Sequence, residues 1–268
     1  MIDRGKRSIL GVGVNVIDYE AAVARILAAA RDNRSFTVSA LAVHGVMTGF
    51  ADTHHRYRLN RFDLVVPDGQ PVRWALRLLH RETLRERVYG PKLTLLVCEA
   101  AAEAGIPIYL YGSTPATLER FRSNLQARFP KLEISGLEPS RFRKASEAEN
   151  AEIIRTIRSR RPGIVLVGLG CPRQEVFAFE NTAALSCPVM AVGAAFDFVA
   201  GTSRQAPAWM GDRGLEWLFR LLQEPRRLWR RYLILNPLYC WNLARQWRDP
   251  RCFRAERDLP PDRRENYV

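Results

Sequence analysis

Hydrophobic and polar positions follow two alternating patterns along the first two hundred residues. Short apolar runs bounded by Gly, Pro or Asp predict buried strands, and longer segments with apolar residues every three or four positions predict helices. Strands are predicted over 9–14, 36–42, 64–66, 107–111, 132–137, 164–168 and 188–192. Helices are predicted over 18–30, 44–53, 71–79, 91–101, 115–129, 146–160 and 173–185. This alternation predicts an α/β fold: a Rossmann-like, mostly parallel sheet with helices on both faces.

The pattern changes after about residue 201, where only helices are predicted, over 215–222 and 225–235. Four arginines of the second helix fall within an arc of about 140° at 100° per residue, opposite an aromatic-rich apolar arc. Such a helix suits an anionic bilayer surface, or it packs on the sheet domain with its arginines in water. We therefore predict a catalytic α/β domain over 1–205, a basic, membrane-associating helical appendage over 206–247 and a disordered tail over 248–268.

Composition and charge limit the partners, the cellular compartment and the membrane topology that this chain can have. The 268 residues are 47% hydrophobic and carry a formal net charge of +13, which indicates an anionic partner or an arginine-rich genome. The five cysteines include no CxxC pair, so the sequence predicts neither a zinc site nor a disulfide framework, and favours a reducing compartment. No apolar run reaches the roughly 18 residues that span a bilayer, and no signal peptide is evident, which predicts a soluble or peripheral protein.

Asp68 is the first candidate for chemistry. An apolar strand ends at Pro67, Asp68 and Gly69 form a turn, and Pro71 suits the first turn of a helix. Asp68 is therefore expected at the carboxyl end of a strand, the edge at which open α/β sheets bind ligands. The alternative is that its side chain simply caps the helix.

Three further strand ends carry glycines and polar residues. Their backbone amides and side chains suit a phosphate or a nucleotide, although the glycines could serve only the turns and Asp197 could be a helix cap. The candidates are Gly112, Ser113, Gly168, Gly170, Gln174, Gly193 and Asp197. On one sheet these loops would converge on a cleft large enough for a nucleotide.

Together these strings resemble the WecG/TagA/CpsF family of bacterial glycosyltransferases (glycosyltransferase family 26). The resemblance spans about residues 8–247 and rests on 67–69, 87–90, 168–175, 193–197, 206–209, 214–221 and 224–232. Its C-terminal half, with GLEW and EPRR, is the most specific part. The resemblance implies inverting transfer from a UDP-sugar to a polyprenyl-diphosphate-linked saccharide, without a metal ion or other cofactor. It also implies a cytoplasmic protein on the inner face of the bacterial plasma membrane.

Two departures bear on the donor sugar. The family's Thr-x-Asn-Pro string is replaced by 37–44, a region that includes Ser39 and His44, and its Arg-Ala-Pro becomes Gln205-Ala206-Pro207. Members differ in using N-acetylmannosamine, its uronic acid or glucose, so all three UDP-sugars stay open. The string 68–74 most resembles members from exopolysaccharide clusters.

The resemblance also implies roles for individual residues. Asp68 would be the base that takes the proton of the acceptor hydroxyl. Arg87 and the loop that ends at Gln174 would stabilise the leaving diphosphate, with Gln174 on phosphate or sugar and Asp197 on the ribose or uracil. The appendage arginines Arg220, Arg227 and Arg230 would close over the diphosphate or grip the lipid pyrophosphate. The absence of an Asp-x-Asp string in this region fits a metal-free reaction.

Two other functions compete with this interpretation. A nucleotide-sugar oxidoreductase or epimerase would need a dinucleotide fingerprint, and Gly11 and Gly13 are followed by no third glycine in register. A nucleic-acid binder is suggested by the charge alone, without a recognisable module. We therefore expect no nucleic-acid partner. A homo-oligomer stays open.

Overall fold

The computed structural model describes residues 1–253 and 258–267, apart from the side chains of Ala208, Asp212, Arg227 and Arg231. The strands are β1 Asp3–Ile9, β2 Val12–Ile17, β3 Phe36–Leu41, β4 Leu64–Pro67, β5 Ile108–Gly112, β6 Ile134–Glu138, β7 Ile164–Gly168 and β8 Pro188–Ala191. The first nine helices are α1 Tyr19–Arg31, α2 Val43–Ala51, α3 Thr53–Arg61, α4 Gln70–His80, α5 Gly90–Ala104, α6 Pro115–Arg128, α7 Glu147–Ser159, α8 Arg173–Leu185 and α9 Gly193–Val199. Four more complete the described chain: α10 Ala208–Asp212, α11 Glu216–Gln223, α12 Pro225–Arg230 and α13 Asn236–Arg248, with a π-helical turn at Arg231–Leu235.

Six strands form a wholly parallel sheet in the order β4-β3-β8-β7-β5-β6. Strand β7 shows why both faces are covered, since all five of its residues are buried. Ile164 and Leu166 pack into one hydrophobic core, with α1, α5, α6 and α9, while Val165 and Val167 pack into the other, with α2, α3, α7 and α8. The predicted Rossmann-like α/β sheet with helices on both faces is therefore confirmed.

The N-terminal strand prediction was wrong. The apolar run over 9–14 is not one strand but the turn of an antiparallel hairpin between β1 and β2. Leu10 and Gly11 both adopt positive φ, at 52° and 86°, which is the geometry of a two-residue hairpin turn. The prediction failed because an apolar leucine at a turn position gives no turn signal.

The C-terminal helices depart from the prediction in length and phase. The single helix expected over 225–235 is α12 followed by the π-helical turn, and α13 continues without a break. A π-helical turn has i→i+5 hydrogen bonds, so an arc drawn at 100° per residue does not extend past Arg230. Hydrogen bonds that join α13 to the sheet domain include those from Tyr239 Oη to Pro71 O at 3.2 Å, from Leu10 N to Gln246 Oε1 at 2.8 Å and from Gln246 Nε2 to Ser8 O at 3.1 Å. The division at 205 and 247 stays a prediction.

The segment after α13 lies against the sheet domain wherever it is described. Asp258 accepts a hydrogen bond from Arg56 Nε at 2.6 Å, and Asn266 is buried. The disordered tail that composition predicts over 248–268 stays a prediction. Residues 254–257 and 268 of that tail lie outside the described residues. Among the described residues, no helix is both long and apolar enough to cross a bilayer.

Candidate active site

A cavity of about 930 Å³ opens at the carboxyl edge of the parallel sheet. The loops that follow β3, β4, β5, β7 and β8 line it, and α11, α12 and the π-helical turn cover it. Nine predicted site residues line this cavity: Asp68, Ser113, Gly168, Gly170, Gln174, Gly193, Asp197, Arg220 and Arg230. A smaller pocket of about 90 Å³ adjoins it and contains Arg87, and both spaces share Asp68 and Arg220.

The Asp68 side chain does not cap the helix that follows it. Helix α4 begins after Gly69 and receives no capping bond from a side chain. Instead, Asp68 Oδ1 accepts a hydrogen bond from the Gly90 N–H at 2.9 Å, which places the carboxylate at the N-terminus of α5. Burial raises the pKa of Asp68 from 3.8 to about 6, while Arg87 and the Gly90 N–H limit the rise. A recessed carboxylate with a pKa near neutrality is suited to accepting a proton.

Arg87 lies between two carboxylates of different regions. Its Nη2 pairs with Glu216 Oε2 at 2.5 Å, and its guanidinium stacks over the Tyr89 ring with 4.4 Å to the ring centroid. Burial disfavours the charged guanidinium, but Glu216 and Asp68 outweigh burial and raise the pKa of Arg87. The pair therefore connects the first turn of α11 to the edge where Asp68 lies.

The Gln174 side chain is hydrogen-bonded within the protein, whereas the sequence predicts that it contacts phosphate or sugar. Its side chain is buried, and its Oε1 accepts bonds from the N–H groups of Gly170 at 3.2 Å and Gly193 at 3.0 Å. Its Nε2 donates to Glu175 Oε1 at 2.9 Å. Gln174 thus ties the loop after β7 to the loop after β8, and it acts on the cavity by fixing those two loops.

The predicted pair Gly112 and Ser113 is only partly at the cavity. Gly112 does not line it, because its backbone packs against Gly168, where an added Cβ would lie 2.8 Å from the Gly168 carbonyl carbon. The Ser113 N–H donates to Gly168 O at 2.9 Å and is therefore engaged within the protein. Thr114 and Thr117, in the first turn of α6, line the cavity beside Ser113. The positive end of the α6 dipole favours an anion there.

The remaining predicted residues lie on the side covered by the C-terminal helices. Asp197 lies within α9 rather than at its cap, and its Oδ1 lies 3.4 Å from the Thr202 hydroxyl. Arg220 stacks over the Phe198 ring at 5.5 Å, and Arg230 over the Trp229 ring at 5.3 Å. The side chain of Arg227, the last predicted site residue, lies outside the described residues.

The sequence missed Glu216 as a site residue, and it named Ser39 within the string 37–44 without giving it a role. Glu216 holds Arg87, yet it lies in the first turn of a helix, where glutamate is common for reasons of helix stability alone. Ser39 donates its hydroxyl to Glu175 Oε1 at 3.2 Å beneath the cavity. The sequence signal that could have identified Glu216 as a site residue is its position inside the GLEW string.

The arrangement combines one proton acceptor with several cations. Asp68 supplies the acceptor, Arg220 and Arg230 bring positive charge to the cavity wall, and Arg87 lies in the adjoining pocket. A site of this kind can deprotonate a hydroxyl and stabilise a leaving group that carries negative charge.

Comparisons with known proteins agree with this chemistry. The model of a family described as "Glycosyl transferase WecG/TagA/CpsF family" matches residues 7–252. One similar protein is the N-acetylglucosaminyldiphosphoundecaprenol N-acetyl-beta-D-mannosaminyltransferase of Bacillus subtilis (strain 168), 26% identical over 196 residues, or 73% of each chain. Another, with the same name, is from Bacillus spizizenii (strain ATCC 23059 / NRRL B-14472 / W23). It is 28% identical over 176 residues, which cover 65% of this chain and 66% of the relative.

Proposed function

The chain belongs to the WecG/TagA/CpsF family of glycosyltransferases, and on that premise we propose that it transfers a sugar from a UDP-sugar to a polyprenyl-diphosphate-linked saccharide. One observation carries this proposal: the Asp68 carboxylate, held by the Gly90 N–H, lines a cavity of about 930 Å³ together with Arg220 and Arg230. A cavity of that volume accommodates a nucleotide-sugar.

In the proposed reaction Asp68 is the general base. The acceptor hydroxyl oxygen attacks the anomeric carbon of the donor sugar while the bond from that carbon to the diphosphate oxygen breaks. The hydroxyl proton passes to Asp68, and UDP leaves with the electron pair of the broken bond. Attack opposite the leaving group inverts the anomeric centre. A base with a pKa of about 6 is deprotonated at neutral pH and still basic enough to assist.

The leaving diphosphate is stabilised in this proposal by cations of the protein. Arg220 and Arg230 reach the cavity from the C-terminal helices, and Arg87 lies next to the base. The N-termini of α5 and α6, represented by Gly90 and Thr114, also line the cavity and add positive potential. We propose that these groups suffice and that the chemical step needs no catalytic metal ion.

A donor screen tests the proposed activity. UDP release is measured with UDP-glucose, UDP-N-acetylmannosamine and its uronic acid, each with and without a polyprenyl-diphosphate-linked N-acetylglucosamine. The names of the two Bacillus relatives favour the N-acetylmannosaminyl donor, whereas the string 68–74, which most resembles exopolysaccharide-cluster members, does not select among the three donors. Acceptor-dependent release from one donor supports the proposal. No release from any of the three, with UDP binding also absent in calorimetry, would contradict it.

We also propose that the protein acts at the inner face of the plasma membrane, where its lipid-linked acceptor resides. Three tryptophans of the C-terminal helices expose much of their surface: Trp229 at 43%, Trp241 at 65% and Trp247 at 59%. Exposed aromatic residues beside arginines are typical of helices that lie in a lipid interface. The setting would be the synthesis of an exopolysaccharide or another cell-surface polysaccharide.

Vesicle binding tests the membrane proposal. Replacing Trp241 and Trp247 with serine should weaken cosedimentation with phosphatidylglycerol vesicles by about tenfold, since apolar burial at the interface is lost. Leu137, which is also exposed but lies in the edge strand β6 and lines neither pocket, provides the control Leu137→Ser. Equal vesicle binding by the double variant and the wild type would exclude this surface.

A further inference from the structure

Three side chains able to bind a metal ion meet behind the wall of the cavity. They are His55 on α3, Cys171 in the loop after β7, and Glu175 in the first turn of α8. One ligand atom of each residue lies within 4.8 Å of the other two. The sequence separates His55 from the other two by more than a hundred residues, so only the fold brings the three together.

Two of these side chains are buried with polar atoms unused. His55 and Glu175 are each 1% exposed. Both ring nitrogens of His55 and the Oε2 of Glu175 have no hydrogen-bond partner among the described residues. An unpartnered polar atom in the interior costs about 1–3 kcal/mol. A single bound ion would satisfy Glu175 Oε2 and one of the two His55 ring nitrogens.

The other oxygen of Glu175, Oε1, is held by two hydrogen bonds from neighbouring side chains. Oε1 accepts bonds from Ser39 Oγ at 3.2 Å and from Gln174 Nε2 at 2.9 Å. These two bonds engage Oε1, and Oε2 is the oxygen that has no hydrogen-bond partner among the described residues. Carboxylates that bind metals commonly have the same arrangement, with one oxygen on the metal and the other held by hydrogen bonds.

We propose that His55, Cys171 and Glu175 bind a Zn²⁺ ion. An imidazole nitrogen, a thiolate and a carboxylate oxygen are the three protein ligand types that zinc prefers. With bonds of roughly 2.0–2.3 Å, tetrahedral zinc holds its ligand atoms about 3.3–3.8 Å apart. The ligand atoms, which lie within 4.8 Å of one another, would therefore need to close by about 1.5 Å at most to reach these distances.

The proposed ion would act on the site through the loop that holds Gln174. Cys171 and Glu175 line the cavity, whereas His55 does not, so the ion would join α3 to the loop after β7 from behind. The fourth coordination position would be taken by water on the cavity side. The proposed role is structural, and it is compatible with a transfer step in which Asp68 and the arginines do the chemistry.

Metal content and a cobalt spectrum test this site without measuring transfer. The full-length chain, purified without a metal-affinity tag, should contain about one zinc per chain by elemental analysis. After exchange for Co²⁺ it should show a thiolate-to-cobalt absorption band in the near ultraviolet. Both signals should disappear in Cys171→Ser and fall at least tenfold in His55→Gln. They should persist in the controls Cys240→Ser and His54→Gln, which alter an exposed cysteine and the neighbouring histidine.

Less than a tenth of a zinc per chain after incubation with Zn²⁺ and dialysis would overturn the proposal. So would a cobalt band that survives in both Cys171→Ser and His55→Gln. If those variants do not fold, the wild type decides alone: saturating Zn²⁺ should raise its melting temperature by about 5 °C over the chelator-treated protein. No rise would count against the site. These readouts are independent of UDP-sugar turnover, so the metal site and the proposed transferase activity can fail separately.

Discussion

The sheet edge and the C-terminal helices contribute to the same cavity but are built in opposite ways. At the edge, strands such as β7 and β8 are buried along their whole length, and the loops are tied by bonds such as those from Gln174 to two backbone amides. Helix α11, by contrast, has no buried residue. One of its links to the edge is the ion pair between Glu216 and Arg87.

This difference suggests a division of labour within the site. The rigid region holds Asp68, the group whose position must be accurate for proton transfer. The loosely packed region supplies Arg220 and Arg230, which only need to bring positive charge near a diphosphate. Helix α11, which has no buried residue, can also move to admit a large lipid-linked acceptor.

The largest effect is expected at the sheet edge. Asp68→Asn keeps an oxygen that can accept the Gly90 bond, but it removes the base. The turnover number for sugar transfer should fall by about 10²- to 10⁴-fold, because general-base assistance is lost. The Michaelis constant for the donor should change little. Turnover of the variant within threefold of the wild type would remove Asp68 from the role of base.

A smaller effect is expected from a change in α11, one of the C-terminal helices that cover the cavity. Glu216→Gln removes the carboxylate that pairs with Arg87, so α11 loses a link to the edge while the guanidinium keeps its stacking on the Tyr89 ring. Turnover should fall by roughly 10- to 100-fold, as expected when a charged group that α11 carries, such as Arg220, is misplaced near the reacting atoms. Glu119→Gln, which breaks an exposed ion pair on α6, is the matched control and should leave turnover unchanged. Equal rates in both variants would show that the link is not needed.

Local sequence patterns explain which parts of the candidate site could be predicted. Asp68 was found from sequence because a strand, a turn and a helix start are adjacent along the chain. The partners of Arg87 and Gln174 could not be found in that way. Glu216 is 129 positions from Arg87, and no local periodicity encodes a pair at that separation. Gln174 seemed free to bind a ligand because sequence does not show that two backbone amides occupy its oxygen.

The smallest effect concerns stability. A carboxyl group whose pKa rises from 3.8 unfolded to about 6 folded destabilises the folded state as the pH rises from 3.8 to 6, and the full cost persists above pH 6. Asp68→Asn removes that cost. The free energy of unfolding at pH 8 should therefore increase by about 1–2 kcal/mol, with no increase below pH 3.8. Denaturant titrations at the two pH values check this. A variant that is less stable at pH 8 would contradict the assigned burial cost.

The pH dependence of kcat/KM tests the central claim most directly, namely that Asp68 is the base and that charges from the C-terminal helices tune it. The wild type should lose activity on the acid side with a midpoint near pH 6. Glu216 raises the pKa of Asp68 and Arg220 lowers it. The midpoint should therefore move to lower pH in Glu216→Gln and to higher pH in Arg220→Gln. A midpoint that stays in place in both variants, or that moves in the opposite directions, would contradict the account.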